Sequence, residues 1–218
     1  MKKIEFNSLV NNHVGRNFLI VCPGKNILEW KEKIDNFICK YYPITIGLNK
    51  ILSVLVPYYH LFTNNDKYEN YGNLIDKTSI LMLGSDILDK WIQKHNPREY
   101  ISVKYNDRNP EEPIGFSNGL ISGYYRTSGN LAIMVAHVMG AKTIYIAGMS
   151  GFLYNFDGDV HYYKAEINRD KKSKEEWNNR YDKPISQSLD KLKSFGVDFK
   201  IITPTIYEKH FDKNILDC

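Results

Sequence analysis

Apolar positions change their period from one segment of the chain to the next, and those changes mark the elements. Asn17 to Cys22 (NFLIVC) is a short unbroken apolar run that stops at Pro23-Gly24, which predicts a buried strand entering a tight turn. Ile27, Trp30, Ile34, Phe37 and Ile38 then recur at helical spacing. Residues 26–40 are therefore expected to form an amphipathic helix, with Asn26 as its cap and Glu29 three positions on, as in a capping box. Pro43 to Leu48 (PITIGL) is a second β-rich run. Strand, glycine turn, helix and strand make one βαβ unit, the opening of a parallel sheet. Ser79 to Leu83 predicts a third strand, stopped by Gly84, and Ser85 or Asp86 would cap a helix running to about His95.

Residues 104–123, rich in Asn, Pro and Gly, predict a long loop, the kind of segment that serves as a lid or binding element. Thr127-Ser128-Gly129-Asn130 leads into LAIMVAHVMG, a compact helix closed by Gly140, and Lys142 to Gly148 follows as a strand ending in glycine. Residues 149–172 again predict loop. Residues 173–195 predict a charged helix that Pro184 either kinks or restarts, and Val197 to Ile202 a last strand ended by Pro204. No internal repeat, low-complexity tract or linker interrupts the pattern. The expectation is a single doubly wound, Rossmann-like α/β domain over residues 1–218, with a mainly parallel sheet and a long lid or loop region.

Composition narrows the partners. Twenty-nine Lys and Arg against 25 Asp and Glu leave a net charge of +4, too small a bias for a nucleic-acid surface. Sixteen Tyr, 10 Phe and 3 Trp suit a pocket for a ring-bearing ligand or an interface between copies of the chain. An AT-rich genome, which also enriches Lys, Asn and Ile, gives the same excess. The three cysteines (Cys22, Cys39, Cys218) are widely spaced and form no CxxC pair, which speaks against a disulfide framework or a cysteine zinc site. The start, MKKIEFNSLVNN, has no apolar core of a signal peptide, and the best apolar stretch, Ile51 to Phe62, is broken by Pro57 and His60. A cytoplasmic location is expected.

Ligands of open parallel sheets bind at the carboxyl ends of strands, near a switch in strand order. The turns Pro23-Gly24-Lys25-Asn26 and Arg126-Thr127-Ser128-Gly129-Asn130 each place backbone N–H groups at an expected helix start beside a cation, which favours phosphate or carboxylate. Each is also what an ordinary capped strand-to-helix turn looks like. Neither is a Walker A loop or a GxGxxG turn. Between Tyr154 and Tyr163, one His, two Asp and three Tyr share ten residues. His161 could be a general acid or base beside a tyrosine on a phosphate; alternatively Asp157, Asp159 and His161 could hold Mg²⁺; or the segment is a solvated Asp-Gly turn. His137 sits within an apolar helix face and is expected to pack in the core. His60 is expected to pack or to edge a pocket, and His13, His95 and His210 have no supporting neighbours in sequence.

Pro-Gly-Lys-Asn after the first strand, Ile-Gly-Leu-Asn49 after the second, and RTSGNLAIMVAHVMGAKTIYIAGMSG at 126–151 together resemble the bacterial sialyltransferases of glycosyltransferase family 42. They are equally similar to the motility-accessory and archaeal hydroxymethylpterin diphosphokinase-like group, and to a domain fused behind aldolase-like domains in surface-polysaccharide clusters. The resemblance spans about residues 17–203 in order, and the 126–151 block carries its specificity. It implies a Rossmann-like domain holding a CMP-sugar. Gly24, Lys25, Asn26 and Asn49 would contact the nucleotide, and Thr127, Ser128, Gly129 and Asn130 would lie near the sugar. Tyr154 and Tyr162 would hold the leaving phosphate. Three departures stand out. Cys22-Pro23-Gly24-Lys25-Asn26 replaces the usual Gly-x-Gly-Pro-Ser turn; Ser150 replaces a common Asp; and residues 178–182, where the family carries its base, contain no His.

The expected function is transfer of a sugar, sialic-acid-like, from a CMP-activated donor to a bacterial surface glycan. His161 would act as base, with Tyr154, Tyr162 and Arg126 on the departing phosphate and no cofactor required. The alternatives are Mg²⁺-dependent pyrophosphoryl transfer from ATP, with Asp157 and Asp159 on the metal, and a non-catalytic nucleotide-binding accessory domain. The partners are then a nucleotide-sugar donor and a glycan acceptor, with no nucleic acid. Peripheral membrane association and a homo-oligomer are both compatible with this reading.

Overall fold

The computed structural model describes residues 1–107, 109–154, 156, 158–163 and 173–217. Ten strands form one mostly parallel sheet: β1 (Lys2–Glu5), β2 (Phe18–Val21), β3 (Ile44–Leu48), β4 (Tyr59–Phe62), β5 (Ile80–Gly84), β6 (Glu99–Asn106), β7 (Gly115–Ser117), β8 (Leu120–Ser122), β9 (Ile144–Ala147) and β10 (Phe199–Ile201). Their order is β10-β9-β2-β3-β4-β5-β6-β8-β7, with β1 paired to the first half of β6. Every pairing is parallel except the β7–β8 hairpin. The fold is a Rossmann-like α/β sheet.

Side-chain alternation along the strands builds a core on each face. Phe18 and Ile20 of β2 join Tyr59, Leu61 and Met82 beneath helices α4 (Ser128–Val138) and α6 (Lys183–Ser194). Leu19 and Val21 point the other way, onto Ile34 and Phe37 of α1 (Lys31–Tyr41). Farther along that second face, Phe62, Leu81 and Leu83 meet Tyr68 of α2 (Asn65–Tyr71) and Ile92 of α3 (Asp89–His95). Strands buried on both faces read as continuous apolar runs, which is why NFLIVC and PITIGL were legible. Helix α4 is apolar all round because it lies across β2, β3, β4 and β9 and is itself covered by α6.

Several boundaries differ from the sequence expectation. Helix α1 begins at Lys31, and residues 25–30 are turns. Asn26 caps nothing: it is fully buried, and its side-chain amide donates to the Pro204 carbonyl at 2.7 Å. Ser85 and Asp86 do not cap α3; the Leu88 N–H is taken by Asn65 Oδ1 at 2.8 Å. Within the expected loop 104–123 lie the end of β6 and the β7–β8 hairpin, turned by Asn118-Gly119 with φ of 49° and 77°. The expected helix 173–195 is three pieces: α5 (Lys174–Trp177) with a Ser173–Glu176 capping box, a π turn at Asn178–Asp182, and α6, which carries Pro184 in its first turn. No helix among the described residues is long and apolar enough to cross a membrane.

Histidines are built into this framework. His95 donates from Nε2 to the Glu69 carbonyl (3.1 Å), and His13 meets the Tyr59 hydroxyl (2.8 Å). His137 is half-buried against the Phe195 ring. His60 is the deepest: its Nε2 lies 2.6 Å from the Asn49 carbonyl, its ring stacks on Phe62, and its buried Nδ1 has no partner. Burial pushes its pKa from 6.5 down to about 4, with the Asn49 carbonyl opposing the shift. Below 6.5 the unfolded chain takes up a proton that the folded His60 refuses, so stability falls as pH drops from 6.5 toward 4. The gap, at ~1.4 kcal/mol per pH unit, amounts to ~3 kcal/mol at most.

Two predictions follow from this packing. Chemical denaturation between pH 6.5 and 5 should show stability declining with acid, and His60→Gln should flatten that slope while lowering stability at pH 7; an unchanged slope would contradict the buried neutral imidazole. Gly24→Ala should lower stability by at least ~1–3 kcal/mol, read as a fall in Tm, because an added Cβ would stand 2.0 Å from the Gly148 carbonyl oxygen.

Candidate functional site

The chain runs from β2 outward through β3, β4, β5 and β6, then returns through α4 to β9 on the other side of β2. Strands β2 and β9 therefore flank the topological switch point, and their carboxyl ends open a crevice. Backbone contact there is close: the Cys22 N–H donates to the Ala147 carbonyl at 2.8 Å, and the Gly24 N–H to the Gly148 carbonyl at 3.0 Å. Gly148 has φ 75°, and a Cβ on it would lie 2.1 Å from the Cys22 carbonyl oxygen, so neither glycine has room for a side chain. Gly24 also bridges to His161, which brings the 158–163 segment over the crevice. The resulting cleft has a volume of about 390 Å³, in the range of small-molecule sites.

The N-terminus of α4 enters this cleft. Thr127 Oγ1 accepts from the Asn130 N–H at 3.2 Å, so the cap is satisfied from within, and Ser128 and Gly129 line the cleft. The Ser128 hydroxyl is bonded to Thr63 Oγ1, which ties α4 to the end of β4. Arg126, held at φ 63°, lines the cleft beside them, its guanidinium stacked 5.4 Å from the Tyr124 ring and donating to the Arg180 carbonyl. Lys67 adds a second cation and Asp107 a carboxylate; Leu48, Leu131, Met149 and Phe152 supply apolar wall. Helix N–H groups, a helix dipole and two cations favour an anion, and the apolar wall favours a ring or sugar face.

His161 lines the cleft with its ring stacked on Tyr163 (5.1 Å, 22°) and its Nδ1 buried without a partner. Burial first, and the Lys67 ammonium second, push its pKa from 6.5 to about 4, against the Pro23 carbonyl and Asp159. The imidazole is neutral at pH 7 and weakly basic. Asn49 also lines the cleft, in the left-handed conformation (φ 53°) that Asn tolerates, with its carbonyl fixed by His60 and its Oδ1 buried and unpartnered. Cys22 borders the cleft too, its thiol pushed up to about 12 by burial and therefore unreactive.

Gly24, Asn49, Arg126, Thr127, Ser128, Gly129 and His161 thus share one cleft. The other sequence candidates do not line it. Lys25 is at the surface, 3.8 Å from Asp159. Asn26 is spent on Pro204, and Asn130, fully buried, donates its amide to the Ile185 carbonyl at 3.2 Å. Tyr154 is 40% exposed and outside the cleft. Tyr162 lies on the α1 side, where its hydroxyl meets Ser53 Oγ and the Lys50 carbonyl, both at 2.6 Å. Neither of the two tyrosines expected on the phosphate lines the cleft. Asp157 lies outside the described residues; among those described, no three His, Cys, Asp or Glu side chains come together as a metal site.

The structure also supplies lining residues that sequence reasoning missed. Thr63 and Lys67 follow β4, a strand hidden in a stretch broken by Pro57 and His60. Tyr207 closes the floor, donating at 2.7 Å to Asp182 Oδ1. Asp182 is 2% exposed and also accepts from the Phe152 and Leu153 N–H groups, both at 2.8 Å. It falls within residues 178–182, where the resemblance would put a base, and its three donors make it the anchor of the 151–153 wall. No protein-family model matches the chain, and no curated protein is significantly similar to it in sequence.

Proposed function

We propose that the protein transfers a sugar from a nucleotide-activated donor, CMP-linked, to a hydroxyl of a glycan. The observation that carries this reading is the switch-point cleft with the N-terminus of α4 and Arg126 in it and His161 across from them. Such a cleft suits a nucleoside phosphate joined to a neutral or acidic ring. In the reaction the acceptor oxygen bonds to the anomeric carbon, the bond from that carbon to the phosphate oxygen breaks, and the acceptor proton passes to His161. The charge left on the nucleotide phosphate falls to Arg126 and the first N–H groups of α4, in place of the two tyrosines. A phosphate bound nearby opposes the effect of Lys67 on the imidazole, so the loaded cleft holds a more basic His161 than the empty one. The pyrophosphoryl reading gains nothing from Asp159, which is ion-paired to Lys25.

Donor class is read by thermal shift. CMP at ~100 times its Kd should stabilise the native state by ~2.7 kcal/mol, raising Tm by about 5–10 °C, and by more than UDP, GDP or ATP at the same concentration. A larger shift with ATP that requires Mg²⁺ would replace this reading with pyrophosphoryl transfer. His161→Ala, checked for an unchanged CMP-induced shift, should lower turnover of a CMP-sugar ~10²–10⁴-fold. Full turnover in that variant would remove His161 as the base.

A further inference from the structure

Behind the His161 wall of the cleft, two lysines share one tyrosine. The Lys67 ammonium is 5.7 Å from the centroid of the Tyr163 ring; the Lys50 ammonium is 5.2 Å from the same ring and 5.4 Å from Tyr71. Among the described residues, neither ammonium makes an ion pair or donates a hydrogen bond. Burial holds the Lys67 pKa below its ordinary value, and the Asp66 carboxylate opposes that shift without offsetting it. Ring faces attract ammonium groups but accept no strong hydrogen bond.

Two further polar atoms in the same place have no partner. The Tyr163 hydroxyl is buried and unbonded on a residue only 7% exposed, and the His161 Nδ1 is buried and unbonded on the ring stacked against it. Tyr163 cannot supply the missing charge, since burial and the neighbouring Tyr71 and Tyr162 keep its hydroxyl protonated far above neutral pH. Unpaired half-buried cations beside an orphaned donor are the arrangement an oxyanion completes, because each oxygen accepts several hydrogen bonds at once.

The geometry points to an oxyanion subsite on this wall of the cleft, in which Lys67, backed by Lys50, holds a phosphate beside His161 and Tyr163. It is separate from the N-terminus of α4 and Arg126. The cleft therefore takes a ligand set with two anionic groups, one per wall: the nucleotide phosphate and a second phosphate, on the acceptor side. The identity of the first group rests on the nucleotide-sugar reading; the subsite itself does not.

The test titrates inorganic phosphate into the ¹³C-histidine-labelled protein and follows the His161 ring resonance, assigned by its loss in His161→Gln. Phosphate should shift that resonance. Lys67→Gln should weaken the phosphate affinity ~10-fold or more, as expected for one lost charge-assisted contact, while Lys67→Arg keeps most of it and Lys90→Gln, exposed on α3 and outside the cleft, changes nothing. The shift should persist with CMP at saturation, since the nucleotide phosphate belongs to the other wall. A His161 resonance that ignores phosphate, a Lys67→Gln variant that binds it as tightly as the parent, or loss of the phosphate response on adding CMP would each overturn the second subsite. Failure of CMP to bind, with the phosphate response intact, would instead sink the nucleotide reading and leave the subsite standing.

Discussion

The close backbone approach of β2 and β9 governs what this molecule can do. Two N–H···O=C bonds beyond Val21, from Cys22 to Ala147 and from Gly24 to Gly148, carry the pairing past the last residues of both strands. Side chains at Gly24 or Gly148 would stand about 2 Å from a carbonyl oxygen of the other segment. The glycines let the two strand ends close into a floor, and the chain reversal at the same place leaves that floor uncovered by a crossover helix. Cleft and fold are consequences of one contact.

The walls are then assembled from distant parts of the chain by hydrogen bonds that have little to do with regular structure. Asn26 fastens the turn after β2 to Pro204, Thr203 Oγ1 accepts from the Gly148 N–H at 2.8 Å, and Asp182 gathers Phe152, Leu153 and Tyr207. Thr203 and Asp182 are buried anchors with their partners in place, and Asn26 is held through its Nδ2 alone, its buried Oδ1 having no partner; loss of one partner in any of these bonds would leave the other unsatisfied in a dry environment. His161 Nδ1 and Asn49 Oδ1 differ in being buried and unpartnered, and among the described residues the Lys50 and Lys67 ammonium groups make no ion pair. Of these four, Asn49, Lys67 and His161 line the cleft, where a ligand can reach them.

Much of the frame was legible because buried parallel strands and a fully buried helix leave continuous apolar runs. The segments NFLIVC, PITIGL, SILML and LAIMVAHVMG, with their glycine stops, gave β2, β3, β5 and α4 and the convergence of Gly24, Asn49 and Ser128-Gly129. The edge of the sheet was not legible. Strand β1 is Lys-Lys-Ile-Glu, mostly exposed, so it has no apolar signature, and it finds its place only through parallel pairing with Glu99–Ser102. Strand β4 (Tyr-His-Leu-Phe) is short and hides a histidine in its core, where burial keeps the ring neutral. The β7–β8 hairpin did carry a local signal, Asn118-Gly119 between Phe116 and Ile121, with both turn residues at positive φ as a two-residue hairpin loop needs. In the site, the tyrosines were misplaced because spacing alone cannot tell which face of a loop a hydroxyl takes; Tyr162 is pulled to the α1 side by Ser53 and the Lys50 carbonyl. Lys67, on the helix that follows β4, escaped notice because β4 did.

The central claim is that the β2–β9 switch point is where the nucleotide sits. Backbone amide chemical-shift mapping with CMP tests it most directly. The largest perturbations are expected on Gly24, Asn49, Ser128, Gly129 and Gly148, residues that line this cleft from four different elements and loops. Perturbations confined to the second concavity, between Asn178, Gln187 and Tyr207, or spread evenly over surface lysines, would contradict it.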